Sequence, residues 1–77
     1  MSNKTALKYL EQVHDEIDRA ASLFSPMFSN HEAYGIIKEE VDEMWDAIKS
    51  NSTKNARKEA VQVAAMAVRY LIDSEKW

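Results

Sequence analysis

Glu40 and Glu43 stand three residues apart in KEEVDEMWDAIK, residues 38–49. On a helix this spacing puts two carboxylates on one side, a turn apart. Fifteen residues separate Glu43 from Glu59, and Gln62 lies one further turn on. Carboxylates are hard oxygen donors. Mg²⁺ prefers such donors in octahedral geometry, keeps several waters and typically binds together with substrate phosphates. Carboxylates projecting from facing helices are an established way of building a metal site inside a bundle.

The position of Glu40 among its neighbours separates it from an ordinary surface acid. At about 100° per residue, Tyr34, Ile37, Val41, Met44, Trp45 and Ile48 form the main apolar arc of residues 30–50. Ile36, Ala47 and Ala33 extend that arc on one side, and Glu40 projects between Ala47 and Ala33. Glu43 lies near the Ile36 edge, while Glu39, Asp42 and Asp46 point toward solvent. Glu59 has a similar address, flanked by Val63, Met66 and Tyr70. A carboxylate in an apolar stripe is costly unless it is paired or bound to a cation. Two plainer readings compete with a metal centre: a solvated acidic face, and a structural ion pair from Glu40 to Arg69 or Lys58 across helices.

The elements that must position these groups are helices. One glycine and one proline in 77 residues imply few turns and long regular segments. Ala6, Leu10, Val13, Ile17, Ala20 and Phe24 recur at spacings of three and four, which predicts a helix from Thr5 to about Phe24. SPMFSN breaks the pattern at Pro26, and Ser29 with Glu32 reads as a capping box opening a second helix to about Ser50. SNSTKN is a turn rich in capping residues, and a third helix runs from near Asn55 to about Asp73. The third is apolar over most of its circumference, and Ala60, Ala64, Ala65 and Ala67 permit close helix approach. Such a helix needs cover on several sides. The expectation is an all-α, three-helix protomer built on a helical hairpin, one domain over residues 1–77, completing its bundle as a homodimer or dimer of dimers.

Composition narrows the partners. A net charge of −3 without a basic stripe argues against nucleic-acid binding, although KNARK gathers Lys54, Arg57 and Lys58. With no cysteine there is no disulfide framework, and a chain of this size then leans on a metal or on self-association. No basic segment leads into an apolar run at the N-terminus, and no apolar run is long enough to span a bilayer. A soluble, cytoplasmic protein with no membrane partner is expected.

EEVDE and, after a short gap, EAVQ resemble the E-x-x-E and E-x-x-D signature of MazG-like nucleoside triphosphate pyrophosphohydrolases. That all-α superfamily also includes dimeric dUTPases and phosphoribosyl-ATP pyrophosphohydrolase. The wider HEAYGIIKEEVDEMWDAIK and EAVQVAAMAVRYL are similar to its small, often phage-associated members, and the likeness covers residues 31–72. The resemblance implies that Glu40, Glu43, Glu59 and Gln62 hold Mg²⁺ or Mn²⁺, and that Glu40, Glu43 and Glu59 are catalytic. It also implies a nucleoside triphosphate substrate, cleaved between the α and β phosphates to a monophosphate and pyrophosphate. Two departures stand out. Gln62 replaces the final acid of the signature, and the sequence ends at Trp77, where many members continue into a helix that contacts the nucleotide.

Within this frame Lys38, Arg57, Lys58 and Arg69 are the candidate phosphate contacts, Arg69 being best placed on the Gln62 face. Trp45, at the border of the apolar arc, is a core or interface residue that could stack on a base. Two other functional classes remain: a weak or inactive relative that binds nucleotide or metal, and a helical oligomerisation module in which the acids are structural.

Overall fold

The computed structural model describes residues 3–77. Three helices account for most of them: α1 (Lys4–Leu23), α2 (Asn30–Lys49) and α3 (Thr53–Ser74). No strand occurs among the described residues. Each helix begins on a polar side chain that takes up an otherwise orphaned backbone donor. Asn3 Oδ1 accepts from Ala6 N at 2.9 Å, Ser29 Oγ from Glu32 N at 3.1 Å and Ser52 Oγ from Asn55 N at 3.4 Å. The third helix therefore starts two residues earlier than the apolar pattern alone suggests, because Ser52 rather than a later residue caps it.

The α2–α3 turn fixes the register of the hairpin. Asn51 N donates to Ile48 O at 3.0 Å and Ser52 N to Ala47 O at 2.9 Å, the paired bonds of a Schellman ending. That ending requires a left-handed residue, and Asn51 supplies it with φ 60°. Three residues thus reverse the chain, and α2 returns antiparallel along α3.

The α1–α2 connector is tied to the far end of α3. Met27 is buried, and its N–H donates to Asp73 Oδ2 at 3.0 Å. Arg69, also buried, donates from Nη2 to Ser25 O at 3.1 Å. Tyr70 Oη donates to Asn30 Oδ1 at 2.8 Å. With that end anchored, α1 runs parallel to α3. Both α1 and α2 pack on α3 and not on each other, so α3 is the central element.

The core is small: Val13 and Ala20 of α1, Met27, Ala33 of α2, and Ala65 and Met66 of α3, with Ile17, Ile36, Ile37, Val61, Ala64 and Tyr70 packed around it. Its location corrects two faces expected from the sequence. On α1 the buried side is Val13, Ile17 and Ala20, while Leu10 and Phe24 are exposed. On α2, Tyr34, Val41, Trp45 and Ile48 lie open, with Trp45 54% exposed. The side that meets α3 is Ala33, Ile36, Ile37, Glu40, Met44 and Ala47. Glu40 therefore sits at the centre of the packed face and not at the edge of it. Ala60 and Ala64, two of the alanines expected to permit close helix approach, are partly buried on α3.

Because Asn51 carries the left-handed turn, Asn51→Gly should leave stability unchanged or raise it by up to about 1 kcal/mol. Asn51→Val should cost about 1–2 kcal/mol, since a β-branched side chain clashes in that conformation. Urea unfolding of the two variants checks both; equal stability would show that the turn does not set the hairpin.

Candidate metal centre

Antiparallel packing places the middle of α2 against the first half of α3, and this is where the acids meet. One carboxylate oxygen from each of Glu40, Glu43 and Glu59 lies within 4.8 Å of the other two. Oxygens sharing an octahedral Mg²⁺ shell are about 3.0 Å apart when adjacent and about 4.2 Å when opposite, so the three side chains would have to draw together to share one ion. Glu40 and Glu59 are half-buried and Glu43 is exposed, so the cluster opens to solvent on the Glu43 side.

The electrostatics of the cluster are unresolved by the protein itself. Burial pushes the Glu40 carboxyl up to about 7 from 4.5, assisted by hydrogen bonding with Glu59 and by the charges of Glu43 and Glu59. Glu59 Oε2 is buried with no hydrogen-bond partner. A buried carboxylate oxygen without a donor is an uncommon feature that calls for a proton, a water or a cation. All three side chains offer oxygen, the donor that Mg²⁺ and Mn²⁺ take. The donor set fits such an ion.

The plainer ion-pair reading of Glu40 has no support in the packing. Neither Arg69 nor Lys58 forms an ion pair among the described residues. Arg69 is ten residues beyond Glu59, about 15 Å along the helix, and its guanidinium is committed to Ser25 O and lies 3.5 Å from Met66 Sδ. It is a structural strap and not a phosphate contact. Lys38 is on the solvent side of α2, paired with Asp42 at 2.7 Å. Trp45 stands on the exposed stripe beneath the Lys49 ammonium, 5.7 Å from its ring centroid, and turned away from the acids of its own chain. Arg57 and Lys58 project from the α1 side of α3, next to a cavity.

The residues not foreseen come from α1. Glu16, its side chain only 12% exposed, is held by Arg19 at 2.6 Å. Those bonds hold the Glu16 carboxyl below its usual range against the opposing effect of burial, with the Gln62 amide beside it assisting. The positive field of Arg19 also reaches Glu40. Gln62, in the position of the signature's last acid, is thus neighbour to a fourth carboxylate. An aspartate there would face Glu16 across the α1–α3 contact, whereas an amide can donate to it. The sequence signal for this was the i, i+3 pair of Glu16 and Arg19 beside the buried Val13, Ile17 and Ala20.

Titration of the metal-free protein should expose the strain at Glu40. Its folded carboxyl sits at about 7 and its unfolded reference at 4.5. The folded state therefore binds the proton more tightly. The stability this gives is complete below the unfolded value and is lost as pH rises through the folded one. Wild-type protein in a chelator should lose stability between about pH 5 and pH 8, and Glu40→Gln, which cannot ionise, should lose less over the same range. Parallel pH–stability curves for the two would contradict this electrostatic picture. No family model, curated protein or solved structure matches the chain.

Proposed function

We propose that the chain is a Mg²⁺-dependent nucleoside triphosphate pyrophosphohydrolase of the MazG-like type, acting as a homodimer or dimer of dimers. The observation that carries this reading is the convergence of Glu40, Glu43 and Glu59 on the α2–α3 contact, with the Oε2 of Glu59 buried and without a donor. A cation would satisfy that oxygen, as would a proton shared with Glu40. The E-x-x-E motif and the second glutamate on antiparallel helices, joined by a short turn, add the family resemblance to the geometry.

Glu40, Glu43 and Glu59 would hold the cation. When bound, Mg²⁺ neutralises phosphate charge and makes an attacking water more acidic. The chain's own part is to fix three oxygens in one place before substrate arrives, so that little reorganisation is left for the reaction. A carboxylate oxygen of the triad outside the ligand set takes the proton from water as it attacks the α-phosphorus. The bond from that phosphorus to the bridging oxygen breaks, and pyrophosphate leaves with the electron pair. Arg19 holds Glu16 beside this group.

Self-association rests on Tyr34, Val41, Trp45 and Ile48, an apolar stripe along the outer side of α2. Isolated exposed apolar residues are normal, but a continuous stripe of large ones marks a contact surface.

A specific observation favours a second reading. Gln62 contributes no charge and lies beside Glu16, which leaves three acids where the signature has four. A weak or inactive nucleotide-binding relative fits this arrangement.

Two measurements test the proposal. Pyrophosphate release from a panel of nucleoside triphosphates with Mg²⁺ or Mn²⁺ should be detected for the wild type and lost in Glu40→Gln and Glu59→Gln. Metal-dependent stabilisation without turnover would select the second reading, and no response to metal or nucleotide would leave an oligomerisation module. Sedimentation at micromolar concentration should show no dominant monomer, and Trp45→Glu should shift the population toward one. A stable wild-type monomer would remove the assembly from the account.

A further inference from the structure

The side of α3 turned toward α1 carries the opposite chemistry. A cavity of about 700 Å³ opens between the first halves of α1 and α3, and its walls include Lys8, Tyr9, Lys54, Arg57, Lys58 and Gln62. This is within the range of small-molecule sites, roughly 300–1,000 Å³. Four of the chain's ten lysines and arginines line it, and no acidic side chain does. None of the four is in an ion pair among the described residues, although the chain as a whole carries a net charge of −3.

Two features make this more than a cluster of surface lysines. Lys54, Arg57 and Lys58 occupy the first turns of α3, which has no acid in its first turn. A helix N-terminus already carries a partial positive charge, so acids are favoured there and cations are not. Lys54 lies in that first turn, and Arg57 and Lys58 follow in the second, so cations gather at the end of the helix that favours an anion. The second feature is order. Arg57 donates from Nη2 to the Tyr9 hydroxyl, and its guanidinium lies 5.4 Å from the Tyr9 ring centroid, as does the Lys8 ammonium. Tyr9 thus joins α1 to α3 across the cavity and holds two of the cations in place.

We propose that this cavity is a binding site for an oligophosphate chain, gripped by Lys8, Lys54, Arg57 and Lys58 around Tyr9. Guanidinium supplies paired donors to phosphate oxygens, and lysine supplies mobile point charges, which suits a flexible polyanion. That the chain belongs to a nucleotide rests on the function proposed above; the anion site itself does not. Gln62 borders both regions, lining the cavity and lying next to Glu16 on the acidic side. A triphosphate seated among the cations would therefore lie on the flank of α3 adjoining the carboxylates.

The test separates the two sites by excluding metal. Calorimetric titration in EDTA at low ionic strength uses sodium tripolyphosphate in one arm and a nucleoside triphosphate in the other. Both should bind, and Lys54→Gln/Lys58→Gln should weaken both by roughly tenfold or more. Lys38→Gln, an equal loss of charge outside the cavity, should change affinity less than about twofold. Glu59→Gln should bind as well as the wild type or better, because it removes a nearby negative charge. Tighter binding of the nucleotide than of tripolyphosphate assigns part of the site to the nucleoside, and equal binding assigns it to the phosphates alone; either supports the proposal. Circular dichroism confirms that each variant is folded. No binding in either arm at millimolar ligand, or equal weakening in Lys38→Gln, overturns it. Anion binding without a metal response would instead count against the carboxylate centre and leave this site standing.

Discussion

Negative charge confined to the α2–α3 contact is the constraint around which the rest of this small structure is arranged. Glu40 faces α3 directly, Glu59 faces back, and Glu43 closes the group from the solvent side. Burial, more than its two neighbours, makes the Glu40 carboxyl hard to ionise, and the charges of Glu43 and Glu59 add to the effect. Two species can relieve the strain: a proton shared within the cluster, or a cation. Both would occupy the same oxygens, so a cation held there would compete with the proton on Glu40.

The scaffold serves that contact economically. A Schellman ending with a left-handed Asn51 sets the hairpin register. Arg69 and Asp73 tie the α1–α2 connector to the far end of α3, away from the carboxylates. Because α1 and α2 do not touch, α3 presents separate flanks: carboxylates toward α2, cations toward α1, with Gln62 between them. The core that holds this together contains alanines and two methionines more than large aliphatic residues. Small residues permit close helix approach but bury little apolar area each, and the bare stripe of Tyr34, Val41, Trp45 and Ile48 is where further burial remains open.

Much of this was legible in the residues. Periodicity gave the three helices, Ser29 gave a cap, and spacing brought Glu40, Glu43 and Glu59 to a common locus. The errors have one physical origin. A helical wheel shows which residues share a side but not which of two apolar sides another helix will choose. On α2 the broad arc of Tyr34, Val41, Trp45 and Ile48 looked like the core, yet α3 packs on the narrower side of Ala33, Ile36 and Ala47, whose small residues admit a close neighbour. Arg69 looked like a phosphate contact because its bond to Ser25 joins positions 44 apart, a link that no local pattern shows. Glu16 and Tyr9 were missed for the same reason: the alignment of α1 along α3 is set at the connector, far from either. Gln62, a departure from the signature, became intelligible only once Glu16 was found beside it.

Whether the three carboxylates form one cation site is read out by Mn²⁺ binding followed by electron paramagnetic resonance. Wild-type protein near neutral pH should take up one saturable Mn²⁺ per chain, weakened on acidification and lost in Glu59→Gln, with Glu39→Gln unaffected. Undiminished, stoichiometric Mn²⁺ loading of Glu59→Gln, or no saturable binding to the wild type, would contradict it.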